Sequence, residues 1–432
     1  MSPTNAPPAA RTLSILTRRY GAGEPLSCEP LDRGLLNRGY RLSTTRGSYF
    51  LKHHLDGDPQ TVLPLAARHR ATEALAARGL PVVAPLADRA GRTVASLDGR
   101  SYALHPWVDG HHRDGGELSV PQSHRLGDLL GRVHAQLEHV IGADRDVDAL
   151  PGTISAGAFA PARTGAAGSA STAGAAPGTA LGTALGTASA AWPADRGRAR
   201  RPADGPVPAP RAPHGPAPSS CRAGAAGQRL LPSSPVAATE TARTEDTLCL
   251  IDQLLARIRR TSRRSCFDEL AEHRLRERRR MLYDHGHRRP DRARIPASGW
   301  VHGDFHPLNL IYRSASPVEP LAIIDWDRLG VRPRAEEAVR AAVIFFLRAD
   351  GGLDLPKVRA YARAYRQSTG AGADELDAAT RRVWWERLND FWMLRWHYEL
   401  RDHRADPQFA ASSALVVWWT RHAVAVRDAF SD

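Results

Sequence analysis

Two short apolar runs in the C-terminal half constrain the fold most, because polar residues flank them in a definite pattern. Residues 308–312 and 321–324 read as two strands joined by a turn that contains proline. Asp304 lies just before the first run, Asn309 follows Asp304 by five residues, and Asp325 comes directly after the second run. A hairpin returns the chain to the end where it began, so the pattern predicts that these three side chains gather at one end of a sheet.

Two carboxylates and an amide gathered at one place suit phosphoryl transfer. One carboxylate must orient the attacking hydroxyl and accept its proton, oxygen ligands must hold Mg²⁺, and a cation must position the nucleotide. Asp304, Asn309 and Asp325 can supply the first two, because Mg²⁺ prefers carboxylate and carbonyl oxygens. Only two of the 59 basic residues are lysines, Lys52 and Lys357. An ammonium is a compact charge suited to phosphate, so this scarcity makes Lys52 a candidate for the third role.

The motifs HGDFHPLNL and IIDWD around these residues resemble those of the aminoglycoside phosphotransferase and choline kinase superfamily, which has a protein-kinase-like fold. The resemblance implies that Asp304 is the catalytic base and that Asn309 and Asp325 bind Mg²⁺. It also implies that His302 supports the catalytic loop and that Asp327 is an accessory acid. The expected cofactors are ATP and Mg²⁺.

The same resemblance extends, more weakly, to the N-terminal part of the chain. It implies a nucleotide lysine on a strand, paired with a helical glutamate that helps it hold the phosphates, and these are Lys52 and Glu73. Asn37 falls in a stretch similar to the family's phosphate-covering loop. The sequence YALHPW resembles the hinge whose backbone holds adenine, which implies nucleotide contacts at Leu104 and His105.

Periodicity and turn signals outside the motifs predict a small α+β lobe near the N-terminus and a helical last third. The resemblance implies that these belong to an α+β, bilobal protein-kinase-like fold with a small β-rich N-terminal lobe and a larger, mostly helical C-terminal lobe. The predicted elements are strands at 41–44, 48–53, 92–97 and 101–107, and helices at 62–79, 123–141 and 246–283. The predicted organisation is a flexible N-terminus at 1–20, an N-terminal nucleotide-binding lobe at 21–107, the start of the C-terminal lobe at 108–150, a disordered low-complexity insertion at 151–245 and a catalytic and substrate-binding lobe at 246–432. His134 and the aromatic stripes of the last third are expected to belong to the core.

The net charge of +13 is regional and does not by itself indicate a nucleic-acid partner. Residues 151–243 contain nine arginines and three acidic residues, and residues 257–294 contain 14 arginines and six acidic residues. No nucleic-acid recognition motif accompanies these arginines, which weighs against a nucleic-acid binder.

The four cysteines have no CxxC spacing, which weighs against a cysteine zinc site and a disulfide framework. The N-terminus lacks the apolar stretch of a signal peptide, so a cytoplasmic protein without a membrane partner is expected.

These patterns favour a small-molecule kinase that phosphorylates a hydroxyl group. A nucleotide-binding pseudokinase or regulatory module without turnover is the alternative. Residues 335–432 hold 14 basic and 14 acidic residues, and this neutral balance weighs against a polycationic aminoglycoside as acceptor. Macrolide-like antibiotics, amino alcohols such as homoserine, and sugars all stay open as acceptors.

Overall fold

The structure, a computed structural model, describes residues 6–31, 37–55, 64–142, 242–291, 295–313 and 316–432. All of these belong to one of the two compact units into which the chain divides. The predicted low-complexity insertion lies outside the described residues, apart from its last four positions. Those positions lead into a helix that begins at Thr244.

The N-terminal part of the described chain is built mainly of strands. Its elements are helix α1 (Ala10–Arg19), strands β1 (Pro25–Leu31), β2 (Arg38–Thr44) and β3 (Gly47–His54), helix α2 (Leu65–Ala77), and strands β4 (Ala95–Leu97) and β5 (Arg100–Pro106). The strands form an antiparallel sheet in the order β1-β2-β3-β5-β4, which confirms the predicted small β-rich lobe.

Two tight turns set the register of this sheet. The turn between β4 and β5 has positive φ at Asp98 (51°) and Gly99 (71°), the conformation that a two-residue hairpin turn requires. The turn before β3 places Gly47 at φ 138°. In the resulting register Lys52 lies opposite Ala103, in the middle of the β3–β5 pairing. Both hairpins confirm the sequence prediction.

The C-terminal part is mostly helical, as predicted. Its elements are α3 (Val120–Gly142), α4 (Thr244–Arg259), α5 (Cys266–His285), β6 (Ser298–Val301), β7 (Leu310–Arg313), β8 (Ser316–Ile323), β9 (Gly330–Pro333), α6 (Arg334–Phe345), α7 (Leu355–Thr369), α8 (Ala373–Asn389), α9 (Trp392–Arg395) with a π-helical turn (Trp396–Leu400), α10 (Asp406–Arg421) and α11 (Ala423–Ser431). Strands β6 and β9 pair antiparallel, and so do β7 and β8.

Two predictions about local structure need correction. The single helix predicted at 246–283 is two helices, because Ser265 caps α5 by accepting a hydrogen bond from the Asp268 N–H and so starts a new helix. The N-terminus predicted as flexible contains α1, which buries Leu13 and Leu16 against the N-terminal sheet.

The two parts have separate apolar cores, one beneath the N-terminal sheet and a larger one among the helices. The expected aromatic stripes contribute to the larger core through Trp384, Trp385 and Trp419, each exposing 2% or less of its surface. His134 is also fully buried, as predicted. Among the described residues, no helix is both long and apolar enough to cross a membrane.

Candidate active site

The β7–β8 hairpin gathers the three predicted residues at one end. Leu310, the first residue of β7, pairs with the last residue of β8. Asn309 therefore lies immediately before the hairpin and Asp325 lies just after it, and the Ile324 N–H donates to the Asn309 carbonyl at 2.9 Å. The Asn309 amide donates to the Asp304 carbonyl at 2.8 Å, which ties the preceding loop to the same end. The predicted clustering is confirmed.

His302 organises the loop that carries Asp304. Its Nδ1 accepts a hydrogen bond from the Asp304 N–H at 3.2 Å, and its Nε2 donates to the Ile324 carbonyl at 3.1 Å. The ring is fully buried, and burial lowers its pKa. The neutral tautomer with its proton on Nε2 satisfies both contacts, so His302 links the loop to the end of the hairpin, as expected.

A buried carboxylate on α6 anchors the same loop from the other side. Glu337 accepts hydrogen bonds from the N–H groups of His302 (3.1 Å) and Gly303, and from His134 Nε2 at 2.7 Å. His134 in turn contacts the Tyr365 hydroxyl at 3.0 Å. Burial opposes ionisation of Glu337, but the hydrogen bonds and electrostatic attraction from His134 and the Gly303 N–H outweigh it and hold its pKa below the usual range.

Gly303 is required at its position for two reasons. Its φ is +86°, which disfavours any residue with a Cβ. A Cβ built there would also lie 2.1 Å from the Arg328 carbonyl oxygen. The close approach of backbone to backbone brings the loop next to the segment that follows Asp325.

Asp304 is nearly buried, exposing 9% of its surface. Its carboxylate lies 3.6 Å from His306 Nε2 and 3.7 Å from Arg328 Nη1. Burial opposes ionisation, but the imidazole and the guanidinium outweigh it and hold the pKa of Asp304 below its usual value. Asp304 is therefore a carboxylate at neutral pH.

Lys52 bridges the N-terminal sheet and the end of the hairpin. Its Nζ lies 2.7 Å from the Asp325 carboxylate and 2.6 Å from that of Asp327. Burial disfavours the ammonium, but the two carboxylates outweigh this and raise its pKa. Asp325 has φ +63°, and its side chain is 46% exposed while that of Lys52 is 8% exposed.

Two further residues complete this charged cluster. Arg68, on the inner face of α2, donates to the Asp327 backbone carbonyl and lies 3.8 Å from its carboxylate. The Asn37 amide donates to the Asp327 carboxylate, and its oxygen accepts from the Leu55 N–H at 3.0 Å. The structure thus brings Asn37 next to Lys52 and Asp327, where the sequence predicted a phosphate-covering segment.

The structure does not bring Glu73 to Lys52. The buried face of α2 contains Arg68, Thr72 and Leu75, which share one side of the helix by their spacing. Glu73 lies on the other side and is exposed. The expected lysine–glutamate pair is therefore replaced here by pairs between Lys52 and the carboxylates that follow the hairpin.

Leu104 and His105 lie within β5 and not beyond its end. The Leu104 carbonyl accepts from the Leu86 N–H at 2.7 Å, so this backbone oxygen is already used inside the N-terminal part. His105 is half-buried near His69, with ring centroids 5.9 Å apart. Burial and the nearby Lys52 charge lower the pKa of His105 to about 4, which leaves a neutral imidazole at neutral pH. The structure places His105, and not the Leu104 carbonyl, towards the charged cluster.

Sequence reasoning missed Glu337, Arg68, His306 and Arg328 as parts of the site. His306 is in the HGDFHPLNL motif, two residues after Asp304, and this position could have identified it. The other three are ordinary charged residues on a helix or in a turn. Their burial depends on tertiary packing, so the sequence held no comparable signal for them.

The chain is similar in sequence to known proteins. A sequence model described as the phosphotransferase enzyme family matches residues 27–198 and 173–371. Homoserine kinase from Afipia carboxidovorans is 31% identical over 126 residues, and homoserine kinase from Rhodopseudomonas palustris is 33% identical over the same length. The match covers 29% of this chain and 37% of each relative, so little more than a third of their length is matched.

The fold also resembles solved structures. The crystal structure of an AMP-bound spectinomycin phosphotransferase superposes with a TM-score of 0.50, at 11% identity, over 95% of this chain and 99% of the other. At this identity the likeness concerns the fold alone. It agrees with the predicted α+β architecture.

Proposed function

We propose that this chain, which belongs to the phosphotransferase enzyme family, is a kinase that moves the γ-phosphoryl group of ATP onto a hydroxyl group of a small molecule. One observation carries the proposal. Lys52 joins the N-terminal sheet to Asp325 and Asp327, at the same end of the hairpin where Asn309 holds the Asp304 loop. Phosphoryl transfer needs a cation that binds phosphate, acidic groups that can hold Mg²⁺, and a separate carboxylate that can act as the base.

Asp304 is the proposed catalytic base. Its lowered pKa keeps it ionised, so it can accept a hydrogen bond from the acceptor hydroxyl and orient it. As the new O–P bond forms, the hydroxyl proton passes to the Asp304 carboxylate. The bond between the γ-phosphorus and the bridging oxygen breaks, and ADP leaves with that electron pair. The Asp304 N–H donates to His302 Nδ1 and the Asn309 amide donates to the Asp304 carbonyl, and these two hydrogen bonds keep the carboxylate in place.

Asn309 and Asp325 are the proposed Mg²⁺ ligands. The Asn309 amide nitrogen is engaged by the Asp304 carbonyl, so the side-chain oxygen is the atom left for a cation. The Asp325 carboxylate is partly exposed, so a cation can reach it. This oxygen donor set fits Mg²⁺, which would neutralise phosphate charge as the transferred group moves.

Lys52 is the proposed nucleotide-binding cation. In this structure its ammonium is neutralised by Asp325 and Asp327. Nucleotide phosphates would compete for that ammonium, and a Mg²⁺ ion held by Asp325 would balance the charge of that carboxylate instead. Asn37 and Arg68 hold Asp327 in place on either side, so this carboxylate keeps its position during the exchange.

The acceptor is proposed to be a small amino alcohol, with homoserine as the first compound to test. Two relatives matched over 126 residues are homoserine kinases, which supports an acceptor of this size. The balanced charge of residues 335–432 agrees with an acceptor that carries little net charge. Homoserine is such a molecule, because its amine and carboxylate cancel.

The test is ATP consumption with Mg²⁺ across a panel of homoserine, other amino alcohols, sugars and hydroxylated antibiotics. One acceptor should raise ADP release well above the rate with water. Asp252→Asn removes an exposed aspartate on α4 and is the matched control for an aspartate change, so it should keep parental turnover. Nucleotide binding without turnover on any acceptor would contradict the kinase proposal and favour the non-catalytic alternative.

A further inference from the structure

A second polar cluster lies in the segment that joins α9 to α10. His397 Nδ1 is 2.9 Å from Asp406 Oδ2, and His403 Nδ1 is 3.1 Å from the same oxygen. The two imidazole nitrogens are 3.1 Å apart. Three atoms that can each offer a lone pair therefore form a nearly equilateral triangle.

Hydrogen bonds alone satisfy this triangle poorly when Asp406 is a carboxylate. If both Nδ1 atoms carry protons, both can donate to Asp406, but the two N–H groups then crowd each other. If one Nδ1 is deprotonated, its lone pair faces the carboxylate oxygen. In either arrangement one of the three short contacts is repulsive, whereas a cation placed between the atoms makes all three attractive.

The surroundings hold His397 and Asp406 in place. The His397 ring stacks on Phe267 of α5, with centroids 4.0 Å apart and planes 11° from parallel. Asp406 is the first residue of α10, and its second oxygen, Oδ1, is buried and has no hydrogen-bond partner among the described residues. A buried carboxylate oxygen without a donor is costly, and a cation bound at the other oxygen, Oδ2, would reduce that cost by neutralising the charge that the carboxylate shares between its two oxygens.

We propose that His397, His403 and Asp406 bind one divalent transition-metal cation of the Zn²⁺ type. Two imidazoles and a carboxylate are a common ligand set for this ion, at about 2.0–2.2 Å from the metal. Hard cations such as Mg²⁺ prefer oxygen ligands, so the two imidazole nitrogens favour Zn²⁺ over Mg²⁺. The His403 side chain is 62% exposed, which leaves room for water as a fourth ligand.

The proposed cation would join two neighbouring pieces of chain. His397 lies in the π-helical turn that ends at Leu400, and the next residue, Arg401, has φ +54°. The cation would fasten this turn to the beginning of α10. Tyr398, beside His397, donates to Asp268 of α5 at 2.7 Å, so the stiffening would reach α5 as well.

The test is Zn²⁺ binding by the full chain produced without a polyhistidine tag and treated with a chelator. Competition with a coloured zinc indicator gives the affinity, and Co²⁺ gives a visible absorption spectrum that reports the coordination geometry. We expect one equivalent of Zn²⁺ to bind and to raise Tm. Since His403 is exposed, His403→Ala should fold normally and should weaken binding by more than the roughly 10–100-fold typical of losing an outer-shell partner.

Asp406→Asn should weaken binding in the same way, while His139→Ala, which removes an exposed histidine of α3, should leave it unchanged. Equal Zn²⁺ affinity in the parent protein and His403→Ala would overturn the proposal. A similar loss in His139→Ala would also overturn it, because it would show that scattered surface histidines collect the metal. None of these measurements depends on kinase activity.

Discussion

The two halves of the candidate active site are held together by different forces. On the side of the catalytic loop, residues 302–304 are fixed by buried hydrogen bonds from their backbone N–H groups to Glu337 and His302. On the nucleotide side, Lys52 is fixed by ion pairs, one of them to the partly exposed Asp325. The first half is a rigid scaffold and the second is a set of charges that can exchange partners.

This difference suits the proposed chemistry. A catalytic base must stay within a fraction of an ångström of its working position, so it benefits from a loop that cannot rearrange. A nucleotide site must bind and release a charged ligand in every cycle. A lysine that is neutralised by carboxylates before the ligand arrives avoids leaving a buried charge unpaired.

Gly303→Ala should have the largest effect among changes that leave the charges intact. The new Cβ would collide with the Arg328 carbonyl and would strain a backbone at positive φ, so the loop must move. A displacement of about 1 Å at a reacting group costs roughly 100-fold in rate, and we expect at least that loss in kcat. Turnover and Tm check this, with Gly116→Ala as control, since a Cβ there meets nothing. Parental turnover in Gly303→Ala would refute the rigid-scaffold half of the comparison.

Lys52→Arg tests the exchangeable half. The charge is kept, but the guanidinium is larger and its donors point differently, so it cannot fit between Asp325 and Asp327 as an ammonium does. We expect kcat/KM for ATP to fall about 10–100-fold, mainly through KM. Lys357→Arg is the matched control, because that lysine donates to the carbonyls of Gly115 and Gly116. Unchanged kinetics with ATP would remove Lys52 from the nucleotide site.

Glu337→Gln should act more on stability than on chemistry. The amide can no longer accept hydrogen bonds at both ends, so one of its buried donors faces an N–H group of the loop. We expect a loss of about 3 kcal/mol in the free energy of unfolding and a roughly 10-fold fall in kcat. Denaturant unfolding measures the first and steady-state kinetics the second. A stability equal to that of the parent protein would show that Glu337 does not anchor the loop.

The pH dependence of stability gives the smallest signal. The pKa of Glu337 is lower in the folded protein than in the unfolded chain, so its contribution is complete above the unfolded pKa of about 4.5. It is lost as the pH falls through the lower, folded pKa. Glu337→Gln should therefore lose less stability than the parent protein as the pH falls below about 5. Identical slopes in the two proteins would contradict the cause assigned to this shift.

The parts of the site within one short stretch of sequence could be predicted. Asp304, Asn309 and Asp325 are joined by a hairpin of local contacts, so their spacing was enough to place them together. Lys52 was found because lysine is rare in this chain. These predictions needed no knowledge of how distant helices pack.

Residues whose role depends on the rotation of a helix could not be predicted. Glu73 and Arg68 are both charged residues of α2, and only packing against the sheet decides which one faces inward. From the sequence alone Glu337 looks like a solvent-facing glutamate. Only the packing of α6 against the loop at residues 302–304 buries it. For the same reason α1 was missed, because its two buried leucines have meaning only once the sheet exists.

One paired measurement tests the central claim most directly: kcat, nucleotide affinity and Mg²⁺ requirement in Asp304→Asn and Asp325→Asn, with Asp252→Asn as control. We predict that Asp304→Asn lowers kcat about 10²–10⁴-fold and leaves nucleotide affinity nearly unchanged, because that carboxylate acts on the acceptor hydroxyl. Asp325→Asn should instead weaken Mg²⁺-dependent nucleotide binding and raise the Mg²⁺ concentration needed for turnover. Parental turnover in both variants would contradict the assignment of this site and the kinase function with it.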